Sequence, residues 1–190
     1  LFRSTLGFKA SPVNGLWFNI FGGYRISKDE LFCNLVDADG YYFTHFLQDK
    51  AKTAYGGAEL KYGYKDWFDA SLKGTFYSWK TDNENEELYL MTKPKFELNF
   101  YAEAKVFEGL KVYLGYEYVQ RKEYVIEEGN SSRDFGLGNI SNLSVGASYT
   151  FLKDLSVFGR VNNLLNKQYY YEYGYPAEKL NVLAGLSLVF

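Results

Sequence analysis

From Lys95 to Phe107 the chain reads KFELNFYAEAKVF, with Phe96, Leu98, Phe100, Ala102, Ala104 and Val106 on one parity and Lys95, Glu97, Asn99, Tyr101, Glu103 and Lys105 on the other. Successive side chains leave a strand on opposite sides, so alternation sustained over a dozen residues predicts a β-strand with one apolar and one polar face. The same period recurs over Leu110 to Val119, Asn142 to Phe151, Leu155 to Val161 and Leu180 to Phe190, and in looser form over Leu16 to Ile26 and Phe68 to Tyr77. Ser4 to Ala10 and Ala54 to Tyr64 complete a set of about nine predicted strands.

The connections alternate between two kinds. SPVNG around Val13, YKDWF around Asp66, FEGL around Gly109 and LKDL around Asp154 are tight, and their Gly, Asn and Asp suit short hairpin turns. Ser27 to Thr53, Thr81 to Lys93, Glu123 to Asn139 and Asn166 to Lys179 are long and polar or aromatic, and are expected as loops. Short turns on one rim and long loops on the other are the arrangement of an outer-membrane barrel. Many of the strands approach or exceed the roughly 9 to 11 residues that cross a membrane at a tilt, where soluble strands average about 5 or 6. Tyr64, Trp67, Phe68, Phe107, Phe151 and Phe190 sit at strand ends beside the tight turns, as rings at a lipid headgroup interface do, here the periplasmic rim. The expected fold class is therefore all-β, an antiparallel transmembrane β-barrel.

Composition narrows the function. One Cys and one His cannot build a disulfide framework or a Cys/His zinc site. A formal net charge of −2 provides no basic stripe for nucleic acid. One residue in five is aromatic while the mean hydropathy is −0.30, a combination that lipid-facing apolar residues alternating with polar lumen residues produce. With short turns on one side, the first and last strands run the same way and cannot pair antiparallel. About nine strands with that geometry predict part of a larger wall; the alternative is that Arg3 to Ala10 lies outside the wall and eight strands close a complete small barrel with a structural or adhesive role.

The run Val157 to Phe190 carries Asn163 and Leu164, then Asn166, Lys167 and Tyr169, then Gly174, Tyr175 and Pro176, and closes on alternating apolar residues ending in Phe190. It resembles the C-terminal end of TonB-dependent outer-membrane receptors, and the hairpins over the last 100 or so residues look like the wall of that family. The resemblance implies a 22-stranded barrel with an N-terminal plug in its lumen, so residues 1–190 are expected to be one region, the C-terminal part of the barrel, without plug or initiating Met. It also implies import of a scarce nutrient (siderophore, cobalamin, glycan or peptide). The implied partners are outer-membrane lipid and lipopolysaccharide, the plug and TonB through the missing part, the barrel-assembly machinery through the terminal strand and Phe190, and a surface lipoprotein.

Candidate chemistry is sparse. His45, near Asp37, Asp39 and Asp49, permits a catalytic dyad on paper, as outer-membrane hydrolases use, but a solvated loop histidine is the plainer reading and no enzyme is expected. DADG at Asp37 to Gly40 starts like a calcium loop, then places Tyr41 where a ligand is needed, and reads as an Asp-Gly turn. The acidic stretch Ser78 to Glu87 reads as a solvated loop tip, with binding of calcium or of a cation bridging to lipopolysaccharide as the alternative, Gly136 to Gly138 as a loop base and Cys33 as a lone thiol; no cofactor is implied. Tyr169, Tyr170, Tyr171, Tyr173 and Tyr175 are the candidate ligand contacts, able to stack on a sugar, a flat chelate or a peptide, with interfacial anchoring as the competing role. Glu59, Lys61, Asp69, Lys73, Glu97, Glu103, Lys105, Lys111, Glu117, Arg121 and Arg160 are expected on the lumen face, mixed in sign and so without an ion-selective ring.

Overall fold

The computed structural model describes residues 1–35, 43–82, 86–122, 125–128, 131–134, 137–172 and 175–189. Nine long strands form one sheet: β1 (Phe2–Val13), β2 (Leu16–Leu35), β3 (Phe43–Tyr64), β4 (Phe68–Thr81), β5 (Pro94–Phe107), β6 (Leu110–Arg121), β9 (Ile140–Leu152), β10 (Leu155–Asn162) and β13 (Asn181–Leu188). Between them lie a helix, α1 (Glu86–Met91), a small hairpin β7 (Val125–Glu128) and β8 (Ser131–Asp134), and a second one, β11 (Tyr170–Glu172) and β12 (Tyr175–Pro176). Every pairing is antiparallel and the sheet order follows the chain, β1-β2-β3-β4-β5-β6-β9-β10-β13.

The register keeps the two faces separate from strand to strand. Ile20, Ala58, Gly74 and Leu98 pair across β2 to β5 on the apolar face, while Asn19, Glu59, Lys73 and Asn99 do so on the polar face. A slip of one residue would mix the faces, which is why period-two patterning fixes register. The tight turns extend the ladder: the Gly15, Trp67, Gly109 and Asp154 carbonyls accept from the Gly63, Lys105, Thr150 and Val189 amides at 2.7 to 2.9 Å. Gly109, at φ 85°, holds a backbone shape that side chains resist, and a Cβ there would strike the Thr150 carbonyl.

On the polar face four aromatic side chains place the far end of the ring over the glycine that pairs with them: Tyr55 over Gly23, Phe21 over Gly57, Tyr113 over Gly146 and Phe158 over Gly185. A Cβ at any of these glycines would overlap the ring.

Three expectations are corrected. Ser27 to Thr53 is not a long loop; β2 and β3 pair onward as far as Leu35 and Phe43. The cause of the misreading is local. Asp29 is left-handed at φ 54°, and there the alternation changes phase: Ser27, Ala51 and Thr53 are buried before it, Glu30, Phe32 and Gln48 turn inward after it, and Leu31 and Leu47 turn outward. The residues Thr81 to Lys93 contain α1, and the other long connections contain the two small hairpins. Finally, β1 belongs to the wall, paired with β2 from Phe2↔Ile26 to Val13↔Leu16, so an eight-stranded barrel that omits it is not the arrangement seen. β1 and β13 run the same way at opposite edges, and among the described residues no pairing joins them.

Candidate functional site

Side-chain packing concentrates beyond the ends of the sheet opposite the tight turns. In one cluster Tyr89 of α1, fully buried, meets Phe32 edge-on at 5.4 Å between ring centroids, with Ala51, Trp79 and Leu90 around it. Beneath the ring, Glu30 accepts from Lys93 Nζ at 2.6 Å, the Tyr89 hydroxyl at 2.9 Å, Ser27 Oγ at 2.9 Å and Arg25 at 3.2 Å. Burial pushes the Glu30 carboxyl up, but the hydrogen bond and charge of Lys93, with the Tyr89 and Ser27 hydroxyls, outweigh it and hold the group at about 2. Burial, reinforced by Glu30, raises the Tyr89 phenol, which therefore stays a donor. The network ties α1 to the extended β2-β3 hairpin, and Lys93 also lies over the Tyr89 ring at 4.4 Å.

The second cluster is built by residues 163–172 and 175–180. Asn163, 1 % exposed and left-handed at φ 49°, is its hub. Its Nδ2 donates to the Lys167 and Glu178 carbonyls at 2.8 and 3.1 Å, its Oδ1 accepts from the Lys167 amide at 3.2 Å, and its own amide donates to Asn142 Oδ1 at 3.1 Å. Asn166, also left-handed, accepts from the Leu180 amide at 3.2 Å. The segment is thereby closed onto the start of β13, and Tyr169 drops between Val119 and Ile140 with Ala177 beside it. Arg121, itself buried, donates to the Tyr170 carbonyl, and the Tyr171 hydroxyl donates to Glu117 at 3.0 Å. Burial, then the Glu117 carboxylate, raises the Tyr171 phenol.

The predicted tyrosines therefore separate. Tyr169 is packed at 5 % exposure, Tyr170 is half-buried on β11, Tyr171 is half-exposed with its hydroxyl bound to a wall carboxylate, and Tyr175 is 68 % exposed on β12. Tyr173, Gly174 and Phe190 lie outside the described residues, as do Asp37, Asp39, Gly40, Tyr41 and Gly136. Leu164 is exposed, and Pro176 pairs with Tyr170. His45 is on β3 rather than in a loop, opposite Cys33 of β2.

At the tight-turn rim, Tyr64 meets Trp67 edge-on at 5.4 Å, Phe68 lies 6.2 Å from Tyr62, and Phe107 and Phe151 flank Tyr149 at 6.1 and 6.4 Å. The charged residues expected inside the barrel stand on the polar face. Glu103 pairs with Lys111 at 2.8 Å, Glu59 with Lys61 at 3.0 Å, and Arg160 lies over Tyr113. The Glu30 network was missed, because its members come from β2, α1 and the turn after it and converge only when the phase change at Asp29 turns Glu30 inward. An isolated acid after an Asp at a break in the alternation is the one signal that could have found it.

No protein-family model matches this sequence, and no curated protein does. Solved structures do. The ferripyoverdine receptor of the Pseudomonas aeruginosa outer membrane, bound to ferripyoverdine, superposes with a TM-score of 0.69 over 98 % of this chain at 15 % identity. The ferric enterobactin receptor of the same organism gives 0.67 over 99 % at 17 % identity, and the ferric-catecholate import receptor of E. coli K12 gives 0.67 over 99 % at 14 %. The fold is that of the barrel wall of TonB-dependent receptors. The chain spans between a quarter and a third of those structures' length, 26, 31 and 27 % respectively. In a TonB-dependent receptor wall the apolar face meets the lipid of the outer membrane, and the polar face lines the lumen.

Proposed function

We propose that this chain is wall from the C-terminal part of an outer-membrane receptor that imports a scarce nutrient, powered from the inner membrane through TonB and a plug carried elsewhere in the protein. The observation that supports the reading is the superposition of nearly the whole chain, a two-faced antiparallel sheet in chain order, on parts of solved receptors. The solved receptors it resembles take ferripyoverdine, ferric enterobactin and ferric catecholate, so ferric chelates are the first ligands to test. In this reading the tight turns face the periplasm and the two packed clusters stand at the extracellular mouth. Among the described tyrosines of the loop, Tyr175 is the most exposed and the one we assign to ligand contact, while Tyr169 and Asn163 hold the loop in shape. The unpaired outer edges of β1 and β13 would be continued by further wall, and the terminal strand would be the one offered to the assembly machinery. Lipopolysaccharide would surround the mouth, and a surface lipoprotein could cover it.

Two measurements test this together. The intact polypeptide from detergent-solubilised outer membranes should weigh several times 21.9 kDa; a species near that mass would overturn the reading. Deleting the gene should abolish uptake of one radiolabelled ferric chelate under iron limitation, and inactivating TonB should reproduce the loss. Normal uptake of every chelate tried would remove ferric chelates and leave the other nutrient classes.

A further inference from the structure

A hollow of about 280 Å³ lies where α1 comes down beside β4 and the outer ends of β5 and β6. The Tyr77 and Trp79 rings, Leu90 and three lysines, Lys93, Lys95 and Lys122, line it. It is at the small end of ligand pockets, of a size for a single substituted ring. Tyr77 and Trp79 belong to the polar face of β4, where they pair with Tyr55 and Thr53, and their rings are nearly parallel at 24°, 6.1 Å between centroids. Among the described lining residues there are three ammonium groups and no carboxylate.

The acids around the hollow are already engaged. Glu97 accepts from the Tyr77 hydroxyl at 2.8 Å, Glu30 accepts from Lys93 and Arg25, and Asp82 sits between Lys50 and Lys52. Glu86 and Glu87 open α1, whereas Lys93 follows its end. Lys122 has a contact of its own, so the weight falls on the other two lysines. Lys95 is exposed at the start of β5. Lys93 is held: its Nζ donates to Glu30 at 2.6 Å and lies 4.4 Å from the centre of the Tyr89 ring and 5.7 Å from that of Trp79. An ammonium carries three protons, so Lys93 can serve Glu30 and still donate into the hollow. A lysine fixed in this way has lost its rotamer freedom before a ligand arrives, which is preorganisation.

We propose that the hollow binds an aromatic ring bearing an anionic oxygen, with Lys93 and Lys95 on the charge and Tyr77 and Trp79 along the ring, and that Glu30 is the positioning residue that holds Lys93, and α1 with it, ready for that anion. The role of the site as a nutrient contact rests on the import reading; the binding itself does not. The two ideas of Glu30 differ in sign. As a mere neighbouring charge it would repel the anion, so its removal would tighten binding. As the anchor of Lys93 its removal weakens binding.

A fluorinated salicylate, titrated into the full-length receptor in mild detergent and followed by fluorine NMR, tests this. Wild type should bind it, unlabelled salicylate should displace it, and benzamide, which lacks the charge, and cyclohexanecarboxylate, which lacks the flat ring, should not. Lys93→Gln and Lys95→Gln should each weaken binding about tenfold or more, the loss of one charged hydrogen bond. Lys95→Gln leaves the Glu30 network untouched and keeps the test open if Lys93→Gln disturbs α1. Glu30→Gln should weaken binding several-fold, and saturating salicylate should slow amide exchange at residues 86–93 in the wild type. No binding by the wild type, equal binding by the folded lysine variants, or equal displacement by benzamide would overturn the site; unchanged or tighter binding by folded Glu30→Gln would overturn the positioning role. Salicylate bound through Lys93 and Lys95 by a protein that imports nothing would remove the import reading and leave the site standing.

Discussion

The membrane band of this chain and the region beyond it solve the same problem differently. Within the band, apolar side chains such as Leu60, Leu72 and Phe76 remain open on one face of a single sheet, because lipid supplies the contact that a protein core would otherwise give. Beyond the band there is no lipid, and the strands acquire a core of their own: Phe32, Ala51 and Tyr89 on one side, Val119, Ile140 and Tyr169 on the other. Solvent enforces the alternation in the first region. In the second, particular hydrogen bonds hold the structure, so single substitutions should act locally there and globally in the band.

The largest effect is expected from Leu98→Arg, a charge on the lipid face. It should cost about 2–4 kcal/mol of folding into bilayers, read by denaturant titration in vesicles, whereas Asn99→Arg one residue away on the polar face should cost little. Equal costs would mean that the faces are misassigned. Next comes Glu30. Its carboxyl is depressed from 4.5 to about 2, so the stabilisation it gives is complete above 4.5 and lost as pH falls through about 2. Glu30→Gln should therefore loosen α1 at neutral pH, with faster amide exchange at residues 86–93 and a smaller change on acidification than in the wild type, while the β4-β5 ladder stays protected. Asn163→Ala leaves the Lys167 and Glu178 carbonyls without that donor and should cost about 2 kcal/mol, seen as protease cleavage within residues 163–180. Smallest is Tyr171→Phe, which removes one hydroxyl bond to Glu117 and should cost about 1 kcal/mol. If it abolished ligand uptake with the loop intact, Tyr171 rather than Tyr175 would be the contact.

The same contrast decides what could be read from sequence. In the band one rule, apolar out and polar in, operates along the strands, and all nine wall strands were legible, seven of them with ends within four residues of those found. β5, predicted over Lys95 to Phe107, is found at Pro94–Phe107. Outside the band the rule lapses. The left-handed turn of the chain at Asp29 inverted the pattern, and a 20-residue strand looked like half a strand and a loop. Of the candidate site, the Asn163 to Tyr169 motif was visible as a family feature, but its purpose as a clasp depends on Asn142, Glu178 and Arg121, distant in sequence and unremarkable alone. The tyrosines were visible only as a group, since burial of Tyr169 and exposure of Tyr175 follow from tertiary contacts.

The rings placed over Gly23, Gly57, Gly146 and Gly185 bear on how far the side chains of the wall stand off its polar face. An aromatic ring facing a residue with a Cβ would be held off the sheet; facing a glycine, its far end comes down toward the neighbouring strand. The clearance is thus governed by the glycines, not by the number of tyrosines and phenylalanines. Gly146→Ala, one methyl group on the strand opposite, would overlap the end of the Tyr113 ring and lift it off the polar face.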